Sequence, residues 1–205
     1  MTDTTGLLID RIGVETVLVP IVGTTPLLVH RWSEKAKQKM LDEMQGRDRI
    51  KENKDPEAEY EAAFYRFKDG AYGFPAAAFK QATVRGTRFY GKQLPMTEAR
   101  QIMFFNGEIG VDGLALVRLE GEPHMRQDPV RVGRGGADLR YRPEFSEWST
   151  VLDVTYVKSS LALNSLLSLI DAGGLGTGVG DWRPEKDGNH GTYRVDTTRD
   201  VEVIS

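Results

Sequence analysis

A glycine-rich stretch near the end of the chain carries the residue types best suited to binding phosphate. Residues 173–195 read "GGLGTGVGDWRPEKDGNHGTYRV". Glycine lets main-chain N–H groups approach a ligand closely, and successive N–H groups can form a concave anion site. Trp182 can stack on a nucleobase, while Arg183 and Lys186 can bind phosphate oxygens. The stretch therefore predicts a backbone platform for nucleic acid. Its central glycines are Gly176, Gly178 and Gly180.

Two common nucleotide-binding loops do not fit this stretch. A P-loop ends in Gly-Lys-Ser or Gly-Lys-Thr between a strand and a helix, and the chain has no such sequence. A Rossmann turn needs G-x-G-x-x-G before a helix, whereas here the glycines alternate after a predicted helix. A purely structural interpretation explains Gly173 and Gly174, which are expected to end that helix. It does not explain the five glycines that follow.

Two other segments place basic side chains together. Residues 75–90, "PAAAFKQATVRGTRFY", predict a helix with an apolar face and a basic stripe. That stripe consists of Lys80, Arg85 and Arg88. Residues 125–142, "MRQDPVRVGRGGADLRYR", predict a basic hairpin. Its candidate contacts are Arg126, Arg131, Arg134, Arg140, Tyr141 and Arg142. Both segments also suit an ordinary solvated surface, because exposed arginines are common and Asp128 and Asp138 dilute the hairpin charge.

Residue types for catalysis form no constellation in the sequence. The three histidines, His30, His124 and His190, share no metal-ligand spacing on one helix. The chain has no cysteine, which excludes disulfides, thiolate zinc sites and cysteine nucleophiles. No serine lies in a nucleophile-elbow context. We therefore expect no catalytic residue, no metal and no cofactor.

Composition narrows the function classes further. The chain has 205 residues, 40% of them hydrophobic and 28% charged, with a formal net charge of −3. Because a protein that binds nucleic acid by bulk electrostatics is more basic, any such binding must use a local patch. No apolar run approaches the roughly 18 residues of a membrane span, and the N-terminus lacks a signal-peptide core. These features predict a soluble, cytoplasmic protein.

The order of predicted elements indicates an α+β fold. Stripped of insertions it reads β-α-β-β-α-β, the ferredoxin-like arrangement of an antiparallel sheet with two helices on one face. We expect one domain over 1–205, with a charged helical insertion at about 33–63 and a hairpin insertion at about 121–145. The predicted elements are a strand over 13–23, helices over 33–47, 75–90 and 159–174, mostly strands over 98–157, and a last strand around 193–195.

Three motifs, in this order, resemble those of the RAMP superfamily of CRISPR systems, and in particular its backbone subunits. "IVGTTPLLVHR" (21–31) resembles the turn after the first strand, and "YGFPAAAFKQATVRGTR" (72–88) resembles the motif at the first helix. "GVGDWRPEKDGNHGTYRV" (178–195) resembles the glycine-rich loop after the last helix. Ala76 and Ala77 replace the usual glycine and serine. The chain looks like a compact, divergent, stand-alone relative, of a kind also found in phage genomes.

The resemblance implies a ferredoxin-like (RRM-like) core that binds single-stranded RNA or DNA along one face. It also implies side-by-side stacking into an oligomer or helical filament, and a thumb hairpin, for which 125–142 is the candidate. Two alternatives stay open. One is a metal-independent endoribonuclease of the same fold, with His190 or His30 as the acid/base. The other is a structural or interaction protein without nucleic-acid binding, which the acidic net charge and the charged segment 48–63 favour.

Overall fold

The computed structural model describes residues 9–32, 38, 41–42, 44–46, 54–132 and 136–204. Leaving aside the isolated described positions 38, 41–42 and 44–46, the α-helices of the described residues are α1 (Pro56–Ala62), α2 (Ala76–Gly86), α3 (Met96–Ile102) and α4 (Leu163–Gly176). Thr87–Tyr90 and Pro184–Lys186 form 3-10 turns. The long strands are β1 (Val14–Gly23), β8 (Pro123–Val132), β9 (Gly136–Phe145) and β10 (Ser149–Val157). The short ones are β2 (Leu27–Leu28), β3 (Tyr65–Arg66), β4 (Tyr72–Pro75), β5 (Met103–Phe105), β6 (Glu108–Ile109), β7 (Ala115–Arg118), β11 (Tyr193–Val195) and β12 (Glu202–Val203).

The largest sheet has the strand order β11-β1-β10-β5, and β12 also pairs with β1. All of its strand pairs are antiparallel, and β1 and β10 pair over most of their length, from Val14 opposite Val157 to Val22 opposite Ser149. β10 buries every second residue, as expected when one face of a strand meets the core. The apolar, β-branched composition of β1 is typical of such a strand.

The buried face of this sheet and helices α2 and α4 share one apolar core. Val17 and Ile21 of β1, Phe79 of α2 and Ile170 of α4 are fully buried in it. Phe79 also contacts the ring of Tyr193 on β11, at 5.4 Å between ring centroids. Helix α2 carries Lys80 and Arg85, and helix α4 leads into the glycine-rich stretch. Because both helices pack in this core, the core fixes the elements that position these candidate binding residues.

Glycines let α2 and α4 cross closely. A Cβ atom on Gly86 of α2 would lie 2.6 Å from the carbonyl oxygen of Leu169 on α4. A Cβ on Gly173 would meet the backbone of Ala82, and one on Gly174 would meet the carbonyl of Tyr193. The expectation that Gly173 and Gly174 end the helix is therefore wrong. They serve close backbone packing, and α4 continues to Gly176.

Two smaller sheets complete the fold, with strand orders β2-β9-β8 and β3-β4-β7-β6. Strands β8 and β9 pair from Pro123 opposite Phe145 to Val132 opposite Gly136, so the long ribbon continues far beyond the two residues of β2. All recorded pairs of these sheets are antiparallel. The described chain is thus a mixed α and β structure built on antiparallel sheets.

Two of the elements expected from the sequence do not appear as expected among the described residues. The segment 98–102 was expected to be a strand, but it lies in α3, whose Ala99 and Ile102 are buried at helical spacing. The helix expected over 33–47 falls mostly outside the described residues. No helix among the described residues is long and apolar enough to cross a membrane.

Candidate nucleic-acid interface

Residues 177–191, here called the loop segment, are held in place by their own backbone. The N–H of Val179 donates to the carbonyl of Gly191 at 2.9 Å, and the N–H of Gly191 donates to Pro26 at 2.8 Å. The N–H of Asp181 donates to Leu28 at 2.9 Å, which ties the segment to β2. Several amides of the expected phosphate platform therefore serve the fold. Those of Gly180 and Trp182 donate no hydrogen bond within the described part of the chain.

Trp182 occupies a strained position at the tip of this segment. Its φ is +52°, a left-handed conformation that costs a non-glycine residue about 1–2 kcal/mol. Its side chain is partly exposed, and its ring lies against three neighbours. The guanidinium carbons of Arg126 and Arg142 lie 5.1 Å and 4.9 Å from the ring centroid, and the ring of His190 meets it edge-on. Strain of this kind persists only where the surroundings enforce it and marks a position for functional study.

The arginines that hold Trp182 come from one face of the β8–β9 ribbon. Arg126 and Arg142 stand opposite each other in the register. The guanidinium of Arg142, only 2% exposed, donates to Asp128 at 2.6 Å and to Asp181 at 2.7 Å. Arg126 donates to Glu144 at 2.5 Å and to Asp128 at 2.9 Å, and these bonds raise its pKa. Both cations are thus paired with carboxylates of the protein.

His30 contacts Asp181 of the loop segment. Nδ1 of His30 lies 3.0 Å from Oδ2 of Asp181, the same oxygen that accepts from Arg142. Burial alone would raise the pKa of Asp181, but the bonds from His30 and Arg142 outweigh it and hold the pKa below its usual value. Asp181 is therefore ionised at neutral pH and orients the imidazole. Among the described residues no three acidic or histidine side chains form a group that could hold a metal ion.

Four arginines, here called the arginine cluster, lie where α2, α3 and the loop segment approach one another. They are Arg85, Arg88, Arg100 and Arg183. Burial lowers the pKa of Arg85, and the like charges of the other three lower it further. Glu185 neutralises part of this charge, because it accepts a hydrogen bond from Arg183 at 2.9 Å and also contacts Arg85. The cluster therefore keeps an excess of positive charge at the surface.

Exposed aromatic rings accompany this charge. Phe89 is 61% exposed and lies over Gly176, whose missing side chain leaves room for the ring. Tyr90, the next residue, is 39% exposed, and its hydroxyl donates to the carbonyl of Ser168. The sequence pattern did not single out Phe89, which lies in the segment predicted to form a helix with an apolar face. It also missed Arg100, because the segment that carries Arg100 was expected to be a strand.

The remaining candidate residues are more scattered. The ammonium of Lys80 lies 4.9 Å from the ring centroid of Phe104 on β5. Lys186 is exposed at the end of its 3-10 turn, and Arg140 and Tyr141 are partly buried on β9. The side chain of Arg131 and the whole of Arg134 lie outside the described residues. The structure thus gathers Arg85, Arg88 and Arg183 in one place, and Arg126, Arg142 and Trp182 in another.

A cleft of about 200 Å³ opens between α2 and the loop segment. Pro75 and Ala78 of α2 and its neighbouring strand form one wall, and the backbone from Gly178 to Asp181 forms the other. Arg183 belongs both to this cleft and to the arginine cluster. His30, Tyr65 and Gln81 contribute the other polar side chains near its mouth.

Comparison with known proteins places this geometry in a structural context. No family model matches the sequence, and no curated protein matches it. The chain is similar to a chain of the type III-B Cmr-beta complex solved by cryo-electron microscopy bound to cognate target RNA. The TM-score is 0.52 at 12% identity, over 94% of this chain and 61% of that chain. The fold is similar to that of this Cmr-beta chain. At this identity the similarity concerns the fold, and this chain spans less than two thirds of the length of the Cmr-beta chain.

Two other solved structures give lower scores. Cmr6 from Pyrococcus furiosus matches with a TM-score of 0.43 at 8% identity, over 91% of this chain and 100% of Cmr6. A chain of a CRISPR RNA-guided surveillance complex matches with a TM-score of 0.34 at 12% identity, over 87% of this chain and 66% of that chain.

Proposed function

We propose that this chain is a RAMP-like protein that binds single-stranded nucleic acid, RNA or single-stranded DNA, without cleaving it. The observation that carries the proposal is the arginine cluster. Within the described residues Glu185 contacts Arg85 and Arg183, whereas Arg88 and Arg100 are exposed, and the exposed ring of Phe89 follows Arg88 in the chain. A local excess of positive charge next to exposed aromatic rings is the combination that binds single strands. The similarity to a chain solved with target RNA makes RNA the first polymer to test.

In this proposal phosphates lie on the exposed side chains of Arg88, Arg100 and Lys186, with Arg85 and Arg183 adding positive charge beside them. Bases stack on Trp182 and Phe89. Base–aromatic stacking contributes roughly 1–3 kcal/mol per base, and it tolerates any sequence. The N–H groups of Gly180 and Trp182 add donors that the protein itself does not use within its described part. Lys80, Arg131, Arg134, Arg140 and Tyr141 remain proposed contacts along the same path.

Arg126 and Arg142 have a different role in the proposal. Because their guanidinium groups already bind Asp128, Glu144 and Asp181, they act by positioning Trp182 rather than by meeting phosphate. The ribbon β8–β9 would then hold the ring of Trp182 in place, and the far end of the ribbon would remain the candidate thumb.

We assign the core of this protein to the ferredoxin-like class. In chain order its elements are β1, α2, β5, β10, α4 and β11, and in space its strands run β11-β1-β10-β5. This is the β-α-β-β-α-β order, and each pair of neighbouring strands in the sheet is antiparallel, which supports the assignment. The proposal extends to assembly: copies of this chain stand side by side along one strand of nucleic acid, without requiring another kind of subunit.

Loss of one exposed cluster arginine is expected to weaken binding and its salt dependence. Arg88 is exposed, and no carboxylate contacts it within the described residues. Arg88→Gln should reduce affinity several-fold at low salt and lower the slope of log affinity against log salt by about 0.7, the value for one phosphate contact on a single strand. Fluorescence anisotropy with labelled single-stranded RNA, single-stranded DNA and duplex at several salt concentrations measures both quantities.

Arg199→Gln is the matched control, because it removes an exposed arginine beyond β11 and should leave the slope unchanged. The absence of salt-sensitive binding to any single-stranded polymer would overturn the proposal and favour an interaction protein. Gels of the same RNA after incubation should show it intact. Cleavage that survives a chelator and disappears in His30→Ala would establish the endoribonuclease alternative, for which the contact between His30 and Asp181 is the supporting observation.

A further inference from the structure

We propose that the cleft between α2 and the loop segment binds one base of the nucleic acid, and that Gln81 reads its edge. This inference rests on the proposed function and adds a base preference to it. The residues that define the site are Tyr65, Phe74, Ala78, Gln81 and Gly180.

The size of the cleft selects a small planar group. Pockets for drug-sized ligands measure roughly 300–1,000 Å³, whereas this cleft measures about 200 Å³. One planar base is the part of a nucleotide that fits such a space. Phe74, Pro75 and Ala78 give it one apolar wall, and the backbone at Gly178 and Gly180 gives it the other. Both glycines have positive φ, at +65° and +80°, so neither wall position readily accepts a side chain.

The free hydrogen-bonding groups of the cleft are neutral. The side-chain amide of Gln81 and the hydroxyl of Tyr65 make no hydrogen bond within the part of the chain that the structure describes, and the same holds for the N–H of Gly180. Burial, followed by the charge of Asp112, raises the pKa of Tyr65, so its hydroxyl remains protonated. An amide, a hydroxyl and an N–H suit the uncharged edge of a base, whereas phosphate selects cations.

The charged groups that line the cleft are already engaged. Asp181 is bound by His30 and Arg142, both at its Oδ2 oxygen. Arg183 donates to Glu185 and to the carbonyl of Gly180. Since Arg183 also belongs to the arginine cluster, the mouth of the cleft opens beside the proposed phosphate path. A nucleotide whose phosphate lies on the cluster can therefore turn its base into the cleft.

The test compares the affinities of oligocytidine and oligouridine of equal length. Glutamine donates and accepts hydrogen bonds, whereas a glutamate carboxylate only accepts, and cytosine offers an N4 amino donor that uracil lacks. Gln81→Glu should therefore raise the ratio of cytidine to uridine affinity by about fivefold or more, the discrimination that one good side-chain–base pair provides. Gln101→Glu on α3 adds the same charge at an exposed position outside the cleft and should leave the ratio within about twofold of wild type.

A second variant tests the cleft by filling it. Ala78→Leu places a larger side chain on the apolar wall, and when it is combined with Gln81→Glu it should cancel the rise in the ratio, with unfolding curves confirming that each variant folds. If all proteins bind RNA and Gln81→Glu leaves the ratio unchanged, or Ala78→Leu does not cancel its rise, the base site is overturned while the proposed function stands. If wild-type protein binds neither oligonucleotide, both proposals are overturned.

Discussion

Replacing Arg142 with methionine is expected to lower the free energy of unfolding by about 3–5 kcal/mol, the usual cost of removing one partner from a buried ion pair. The guanidinium is 2% exposed and bonds both Asp128 and Asp181. Asp128 is itself 4% exposed, so the variant leaves a buried carboxylate that keeps only its bond to Arg126. Methionine fills much of the volume, which isolates the loss of charge from the loss of packing.

Urea-induced unfolding of wild type and variants measures this effect. Arg140→Met is the control, since Arg140 lies on the same ribbon but is less buried, and it should change stability by less than about 1 kcal/mol. Adding Asp128→Asn to Arg142→Met removes the stranded charge and should restore part of the loss. A loss below about 1 kcal/mol for Arg142→Met alone would show that the network around Trp182 is not structurally important.

Gly173→Ala is expected to destabilise the protein by about 2 kcal/mol or more, the usual penalty for overpacking a core. In an ordinary exposed helix the same change would stabilise by about 1 kcal/mol. Here the added Cβ would meet backbone atoms of Ala82 and Thr83 on α2, which cannot move without shifting the helix. The sign and the size of the change in the free energy of unfolding therefore both report whether α2 and α4 cross this closely.

Leu175→Ala provides a control on the same helix. Leu175 is 69% exposed, so its truncation should change the free energy of unfolding by less than about 0.5 kcal/mol. Thermal unfolding followed by circular dichroism compares the two variants directly. A Gly173→Ala protein as stable as wild type would contradict the close crossing and reopen the interpretation of this glycine as a helix end.

Several elements were visible in the sequence because their signals are local. The apolar, β-branched run of β1 predicts a strand by its composition, and the spacing of the leucines in 159–174 predicts a helix. The segment 98–102 was missed because its helical pattern covers two turns and runs directly into β5. From the sequence alone, Gly173 and Gly174 resemble the end of a helix. Only the approach of α2 and β11 shows why the helix contains them.

The candidate site was predictable to a smaller extent. Arg85, Arg88 and Arg183 stand out by type, and the structure brings them together. The pairing of Arg142 with Asp128 and Asp181 could not be predicted, because it depends on the register of β8 with β9 and on how the loop segment docks on that ribbon. Asp128 looked like a diluting charge on a hairpin, yet it is the buried partner of two arginines.

Photo-crosslinking of this protein to single-stranded RNA that contains 4-thiouridine tests the central claim most directly, with the attachment sites read by mass spectrometry. The account predicts crosslinks in two segments, 85–90 with Phe89 and 176–188 with Trp182, and a decrease in their yield as salt rises. Crosslinks confined to parts of the chain outside the arginine cluster, the loop segment and the cleft, such as α1 or β12, would contradict the assignment of the binding surface to the arginine cluster and Trp182.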